Sequence, residues 1–592
     1  MDSSSSTFGS LLDDLSNLGL SDKDVGDRLI IALDFGTTYS GIAYALTTDP
    51  EKVFTIDSWP GGDRNAPKTP TALQYGSDSV TNFKWGYELD RLEGEKIQHI
   101  KLLLDPEQPR PYFIPTNIEV EKAKLPKPVV DVASDYMRAI FEHAIEEIKG
   151  QFLVPELLHT FDKRYVLTVP AIWSDKAKDM TSRAAEKAGI SPVDMITEPE
   201  AAALFTLKDL KSKGLKVNDA VVICDAGGGT VDLISYEILS LAPFELRAIT
   251  KASGAVAGSS MIDRNLEEEI RKVVGDEAFV SLKKTEGYQN ALKEFAIAIK
   301  PGFRGKDDRD KYLSFPMAKL EDNPANGLVK NSMTLSGATM FRLFDPIVRE
   351  VDRLVGEQIS AVKIERLQAS PPNPNGVKAI FLVGGFGSSD YLAKAIQNSN
   401  PGVTVIQPKE AWSSISRGAV LSKLPMSAPI VVATKAAKHY GTIALTAWDP
   451  TRDTGFPKLR NRWTSQDECD IMDWFIRMDD ELNRGEKITL SFKRKFPGHK
   501  PRGETLRVQD DLYESTALPV PEHPVNIILN CVLHTDLNDV PRRLFKKKRR
   551  ASDGEPYCQL SYDLQVENTE SGLLKYSLLI EGEEHSAVET SY

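Results

Sequence analysis

Two stretches decide the reading of this chain: LIIALDFGTTYSGIAYAL (29–46) and AVVICDAGGGTVDLISYEI (220–238). Both follow one plan, an apolar run, an Asp, a Gly-rich turn carrying Thr, and a second apolar run. Each copy predicts a β-hairpin whose turn lets a ligand approach the backbone, because glycine carries no Cβ. A duplicated hairpin predicts two related lobes facing one cleft.

The turns suggest what the cleft holds. Gly36, Thr37 and Thr38 in the first copy, and Gly227, Gly228, Gly229 and Thr230 in the second, bring amides and hydroxyls together. Such concavities bind phosphate oxygens through fixed partial positive charge. Asp34 and Asp225 end apolar strands, where a lone carboxylate is costly to bury. A hydrated Mg²⁺ between them relieves that cost, since Mg²⁺ takes one or two carboxylates together with waters and nucleotide phosphates. One hairpin alone would equally be an ordinary glycine turn with a solvated Asp; the duplication favours phosphate.

Other phosphate signatures are missing from the sequence. Gly305-Lys306 lacks the P-loop glycine spacing, and GGFGSSD (384–390) places Asp390 where a dinucleotide fingerprint needs its third glycine. The Gly384-Gly385 turn still follows the strand-like AIFLV (379–383) and precedes the helix-like YLAKAIQ (391–397). Open α/β sheets accept ligands at such turns, although close packing of helix on sheet explains the glycines equally.

The 592 residues are 41% hydrophobic and 27% charged, a globular composition long enough for several domain-sized units. Lys and Arg number 73 against 85 Asp and Glu, a net charge of −12 that opposes general nucleic-acid binding. Cys224, Cys469, Cys531 and Cys558 show no CxxC spacing, so neither a zinc ribbon nor a disulfide framework is expected. Free thiols fit a reducing compartment, and a cytoplasmic protein is expected. No apolar run approaches the ~18 residues of a membrane span, and MDSSSSTFGS is not a signal peptide.

Residues 1–27 read as a flexible tail. From 28 to 424, short apolar runs such as YVLTV (165–169) alternate with helical text such as SDKAKDMTSRAAEKAGI (174–190), with Ser174 as N-cap and Gly189 as stop. The pattern changes across a linker at 425–429. After it, from 430 to 592, strand-like runs dominate, including ITLSF (488–492), VNIIL (525–529) and SLLI (577–580). The basic run Lys546–Arg550 reads as a solvated loop between strands. Its other readings are a nuclear-import signal, a patch for an anionic partner, or a kinase site at Ser552.

LDFGTTYSG, LTVPAIW, ITEPEAAALF, CDAGGGTVDL and FLVGGFGSS occur in that order. They resemble the phosphate-1, connect-1, phosphate-2 and adenosine motifs of the actin, sugar-kinase and heat-shock-protein-70 superfamily. GTTYSG and TEPEAAA resemble the heat-shock protein 70 family in particular. The resemblance covers 29–424 and implies a two-lobed actin-like (ribonuclease H-like) ATPase domain that closes on ATP or ADP with Mg²⁺. It implies that Gly36, Thr37, Thr38 and Tyr39 line the phosphates, that Gly228, Gly229 and Thr230 clamp them, and that Asp34 and Asp225 hold Mg²⁺ through water. Lys101, in HIKLLLD (99–105), falls where the family positions an attacking water, and Glu198 where it orients the same solvent. Without the resemblance they read as a solvated helix lysine and an N-terminal helix acid.

The departures concern the base. AVAGSSMIDR (255–264) keeps Gly258 but not the family's second glycine, and EFAIAIKPGFRG (294–305) keeps Lys300 but has Pro301 where an Arg is expected. Proline breaks that helix turn, leaving Phe303 or Arg304 as alternative stacking groups. HYGTIAL (439–445) and DWFIRMDDELNRGEKITLSFKRKF (473–496) resemble the family's β-sandwich peptide-binding domain, here expected without its helical lid. The resemblance thus implies a monomeric chaperone-like ATPase with extended polypeptide clients and co-chaperones, and no nucleic-acid or membrane partner. A nucleotide-gated scaffold with little hydrolysis and a sugar-kinase-like phosphotransferase are the alternatives.

Overall fold

The computed structural model describes residues 27–76, 79–92, 94–105, 122–151, 158, 160–207, 214–241, 244–425, 430–498 and 506–592. The expected tail, apart from Asp27, and the expected linker, apart from Pro425, lie outside the described residues.

Two mixed sheets dominate the N-terminal two-thirds. The first contains β1 (Arg28–Asp34), β2 (Tyr39–Leu46), β3 (Phe54–Thr55), β4 (Asp162–Val169) and β5 (Val193–Thr197), in the order β3-β2-β1-β4-β5. The second contains β6 (Ala220–Ala226), β7 (Val231–Leu241), β8 (Phe244–Ala248), β9 (Val377–Val383) and β10 (Thr404–Ile406), in the order β8-β7-β6-β9-β10. The order is therefore the same in both. In each, an antiparallel hairpin is followed on its inner side by a parallel strand. Every residue of β6 is buried, which is why AVVICDA reads as a continuous apolar run rather than alternating.

The second sheet continues past β8. β11 (Ile430–Lys435) pairs with β8 in parallel, and β12 (Glu481–Asn483) pairs with β11. The first strand after the linker thus adds to the N-terminal sheet.

The helices that matter below are α1 (Ile100–Leu104), α2 (Asp175–Lys187), α3 (Glu198–Leu207), α4 (Ser260–Val274) and α5 (Ser414–Leu421). Helix α2 begins as its sequence predicts, with Ser174 Oγ accepting from the Ala177 amide at 3.2 Å. It stops at Gly189, whose φ of 86° suits glycine.

The strands after β11, β12 apart, form two antiparallel sheets sharing one core, with Tyr440, Leu512 and Leu533 of one facing Leu564, Val566 and Tyr576 of the other. Two local expectations are corrected. VNIIL is not a strand from its first residue, because Asn526 has a φ of 54° and the strand begins at Ile528. The basic run is not a loop: Lys546–Arg549 is an exposed edge strand paired with residues 556–559. Lysines on a sheet edge discourage edge-to-edge association. Among the described residues, no helix is long and apolar enough to cross a membrane.

Candidate nucleotide site between the hairpin turns

The two Gly-rich turns meet. A Cβ built on Gly228 would lie 1.9 Å from Thr38 Oγ1, and one on Gly229 would lie 2.4 Å from Thr37 Cγ2. Glycine is required here by the approach of the opposite turn. The Gly258 segment fixes the second turn from behind: the amides of Gly258, Ser259 and Ser260 donate to the carbonyls of Gly229, Gly227 and Gly228 at 3.0, 3.1 and 2.9 Å. With those carbonyls engaged, and the Gly227 amide donating to the Thr230 carbonyl at 2.9 Å, the amides of Gly228 and Gly229 are the groups left to face an anion. Gly384 closes on the same place, since its Cβ would meet Asp225 Oδ1 at 2.3 Å, and its φ of 81° is a second reason for glycine. Gly385 lies against Trp412, whose ring meets Tyr39 edge-on at 5.6 Å.

Beneath the turns lies a buried charge cluster. Asp34 and Asp225, at the ends of β1 and β6, are joined by Asp232, which faces Asp225 across the hairpin, and by Glu198 at the start of α3. Burial, followed by Glu198, Asp232 and Asp34, holds Asp225 well above the usual carboxylate range. Burial pushes Glu198 up to about 7 against the pull of Lys101, and Asp232 up to about 6. Two ammoniums answer these carboxylates. Lys101, on α1, is buried, bonds Glu198 and stands 5.4 Å from the Trp173 ring centroid. Lys68 bonds Asp34 at 2.6 Å.

Four carboxylates facing two ammoniums leave an excess of negative charge when all are ionised. Asp225 Oδ1 is also buried without a hydrogen-bond partner. A divalent cation fits at Asp225 on both counts. Asp34 is differently placed, because its oxygens already accept from Lys68 Nζ and, at 3.2 Å, from Thr168 Oγ1.

Lys300 is drawn to one side. Its Nζ holds both oxygens of Asp263 on α4 at 2.7 and 2.8 Å. The helical run before it ends at Lys300, as Pro301 requires. Phe303 is corrected as a stacking group: it is buried between Phe344 and Tyr391, with centroids at 4.7 and 4.6 Å. Arg304 pairs with Asp390 at 2.8 Å.

The sequence reading missed Lys68, Asp232 and Trp412. Asp232 carried a signal, since it lies two residues past Thr230 in a hairpin whose first strand carries Asp225 one residue before its end. Lys68 and Trp412 carried none, because each reaches the site from a loop distant in sequence.

Two residues beyond Glu198, the buried Glu200 pairs with Arg484 at 2.7 Å. Arg484 follows β12, and its amide donates to the Val432 carbonyl of β11, so this ion pair ties α3 to the chain after the linker. Burial pushes Glu200 up to about 7 from 4.5, opposed by Arg484 and Lys423 and reinforced by Glu570. The contacted form therefore holds a proton that a solvated Glu200 releases, and its stability falls as pH rises from about 4.5 to about 7. Hydrogen-exchange protection factors across 430–435, which remove the intrinsic base catalysis of exchange, should accordingly be higher at pH 5.5 than at pH 7.5, and Glu200→Gln should remove the difference. Equal pH dependence in that variant would assign the effect elsewhere.

Comparison with known proteins agrees with the family resemblance. The Hsp70 protein family profile matches residues 145–402. Heat shock 70 kDa protein 12B of Homo sapiens is 25% identical over 557 residues, covering 80% of this chain and 79% of that protein. Heat shock 70 kDa protein 12A of Mus musculus is 24% identical over 563 residues, covering 80% of each. The chaperone protein DnaK of Mycoplasmoides gallisepticum is 25% identical over 375 residues, 63% of this chain and 56% of that one.

Proposed function

The chain belongs, as a divergent member, to the heat-shock protein 70 family, and from that premise we propose a chaperone-like ATPase. In this reading the two mixed sheets are the lobes of an actin-like ATPase domain over 28–424, with ATP or ADP held between the hairpin turns. The β-rich unit over 430–592 takes extended polypeptide by main-chain hydrogen bonds and side-chain pockets. The observation that carries the reading is the meeting of the two Gly-Thr turns directly above a buried, over-acidic cluster.

Phosphoryl transfer needs positioning and charge stabilisation more than covalent chemistry. Asp225 would hold Mg²⁺, which supplies charge neutralisation at the phosphates. The amides of Gly228 and Gly229, with the hydroxyls of Thr37, Thr38 and Thr230, orient the phosphate oxygens. Lys101 and Glu198, held against each other, orient the attacking water and keep an ammonium beside the charge that develops.

MgATP should raise the thermal midpoint as its concentration exceeds the dissociation constant. In the Thr230→Val, Gly228→Val double variant the rise should vanish, since a side chain at 228 meets Thr38. An undiminished rise would reject the site.

A second reading, a nucleotide-gated scaffold with little hydrolysis, is favoured by one observation. Lys300 is held by Asp263 and Phe303 is buried, so this side of the cleft departs from the family pattern. Single-turnover hydrolysis, with and without an unfolded peptide, separates the two readings.

A further inference from the structure

We propose that Lys68 is a resident cation of the nucleotide site, and that it makes nucleotide binding tolerant of the loss of Mg²⁺. The inference rests on the ATP reading above.

Three features show a built arrangement. The Lys68 side chain is 7% exposed and Asp34 is 2% exposed, with Nζ and Oδ2 2.6 Å apart. A lysine is rarely buried so deeply without a partner that holds its charge. The path it takes is prepared by Gly41, which faces Asp34 across the β1–β2 ladder. A Cβ on Gly41 would lie 2.7 Å from the Pro67 carbonyl oxygen and 2.9 Å from Lys68 Cγ, so glycine there leaves room for the segment that carries the lysine and for the start of its stem. The backbone is anchored as well: Tyr87 Oη donates to the Lys68 carbonyl at 3.1 Å, and the next residue, Thr69, pairs with Ser40 of β2.

The consequence is electrostatic. Asp34 ends β1 immediately before the Gly36–Thr38 turn, so its charge would repel any phosphate held there. Lys68 cancels that charge from within the protein, and its ammonium also acts on Asp225 across the cleft. Such a fixed charge needs no reorganisation when an anion arrives, and its solvent screening is small. One of the two aspartates read from sequence as Mg²⁺ ligands thus already has its cation, while the other, Asp225, retains a buried oxygen without a hydrogen-bond partner.

The test is direct binding of fluorescent ADP and ATP analogues, by anisotropy, to the full chain in Mg²⁺ or in EDTA. The wild-type protein should lose no more than about tenfold in affinity on chelation. Lys68→Met, which keeps the stem and removes the charge, should lose about 100-fold or more in EDTA, on the scale of one preorganised charge, and recover in Mg²⁺. Lys68→Arg should follow the wild type. Recovery in Mg²⁺ also establishes that the methionine variant is folded; should it not fold, the wild-type and arginine proteins in EDTA decide. Loss of all wild-type binding in EDTA, with binding intact in Mg²⁺, would overturn the inference and leave the nucleotide reading standing. Equal losses in wild type and Lys68→Met would overturn it too. Absence of binding in both buffers would reject the nucleotide reading and the inference with it.

Discussion

Lys101→Ala is expected to lower ATP turnover about 100-fold while nucleotide affinity changes little, the scale of losing one preorganised charge. The lysine is buried on a helix of five residues, bonded to Glu198 and set over Trp173, so it does not swing freely toward solvent. Removing it leaves Glu198 surrounded by burial, Asp232 and Asp34, all of which raise its proton affinity. Glu198 then holds its proton at neutral pH. Protonation relieves the unpaired charge, and the fold survives. On the proposed ATPase reading, what disappears is an ammonium beside the transferred phosphate and a carboxylate able to accept from water. The pH profile separates this from a structural defect, because part of the lost turnover should return as pH rises and Glu198 ionises. Unchanged turnover in Lys101→Ala would mean that the lysine has a packing role only.

Gly418→Ala is expected to be the most destabilising single methyl addition near the site. A Cβ there would lie 1.7 Å from the carbonyl oxygen of Ala201, where α5 crosses α3. The obstacle is backbone, so no side-chain rotation relieves it. In an isolated helix the same change would stabilise by about 1 kcal/mol. The opposite sign, a loss of about 3 kcal/mol, would therefore report the crossing itself. At about 2–4 °C per kcal/mol, the thermal midpoint should fall by roughly 6–12 °C. Because α3 carries Glu198 and Glu200, separating the helices should also weaken the Lys101 contact and lower turnover. An unchanged midpoint would show that α3 and α5 cross less closely than described.

Much of this was written in local sequence. The apolar run, Asp and glycine turn repeated at 29–46 and 220–238 define two hairpins, because a covered strand needs continuous apolar text and a tight approach needs glycine. Ser174 and Gly189 likewise mark the ends of α2, since caps are satisfied by neighbours in the chain. Asp34, Asp225 and the Gly-Thr turns could be named as candidates for the same reason: each is part of the motif that folds it.

Tertiary structure decided the partners. Lys68 reaches Asp34 past Gly41, where a Cβ would crowd both the Pro67 carbonyl and the lysine stem, and Lys101 reaches Glu198 from a helix 97 positions away. Arg484 meets Glu200 because β12 extends the N-terminal sheet, a pairing that nothing in the text of 481–484 announces. Phe303 went to the core because Phe344 and Tyr391 offer it more buried apolar contact than an open cleft would. Local sequence determined the hairpins and the acids they carry, because those depend on backbone conformation and burial within a few residues. Which cations answer the acids depends on long-range packing, and only the folded chain decides it.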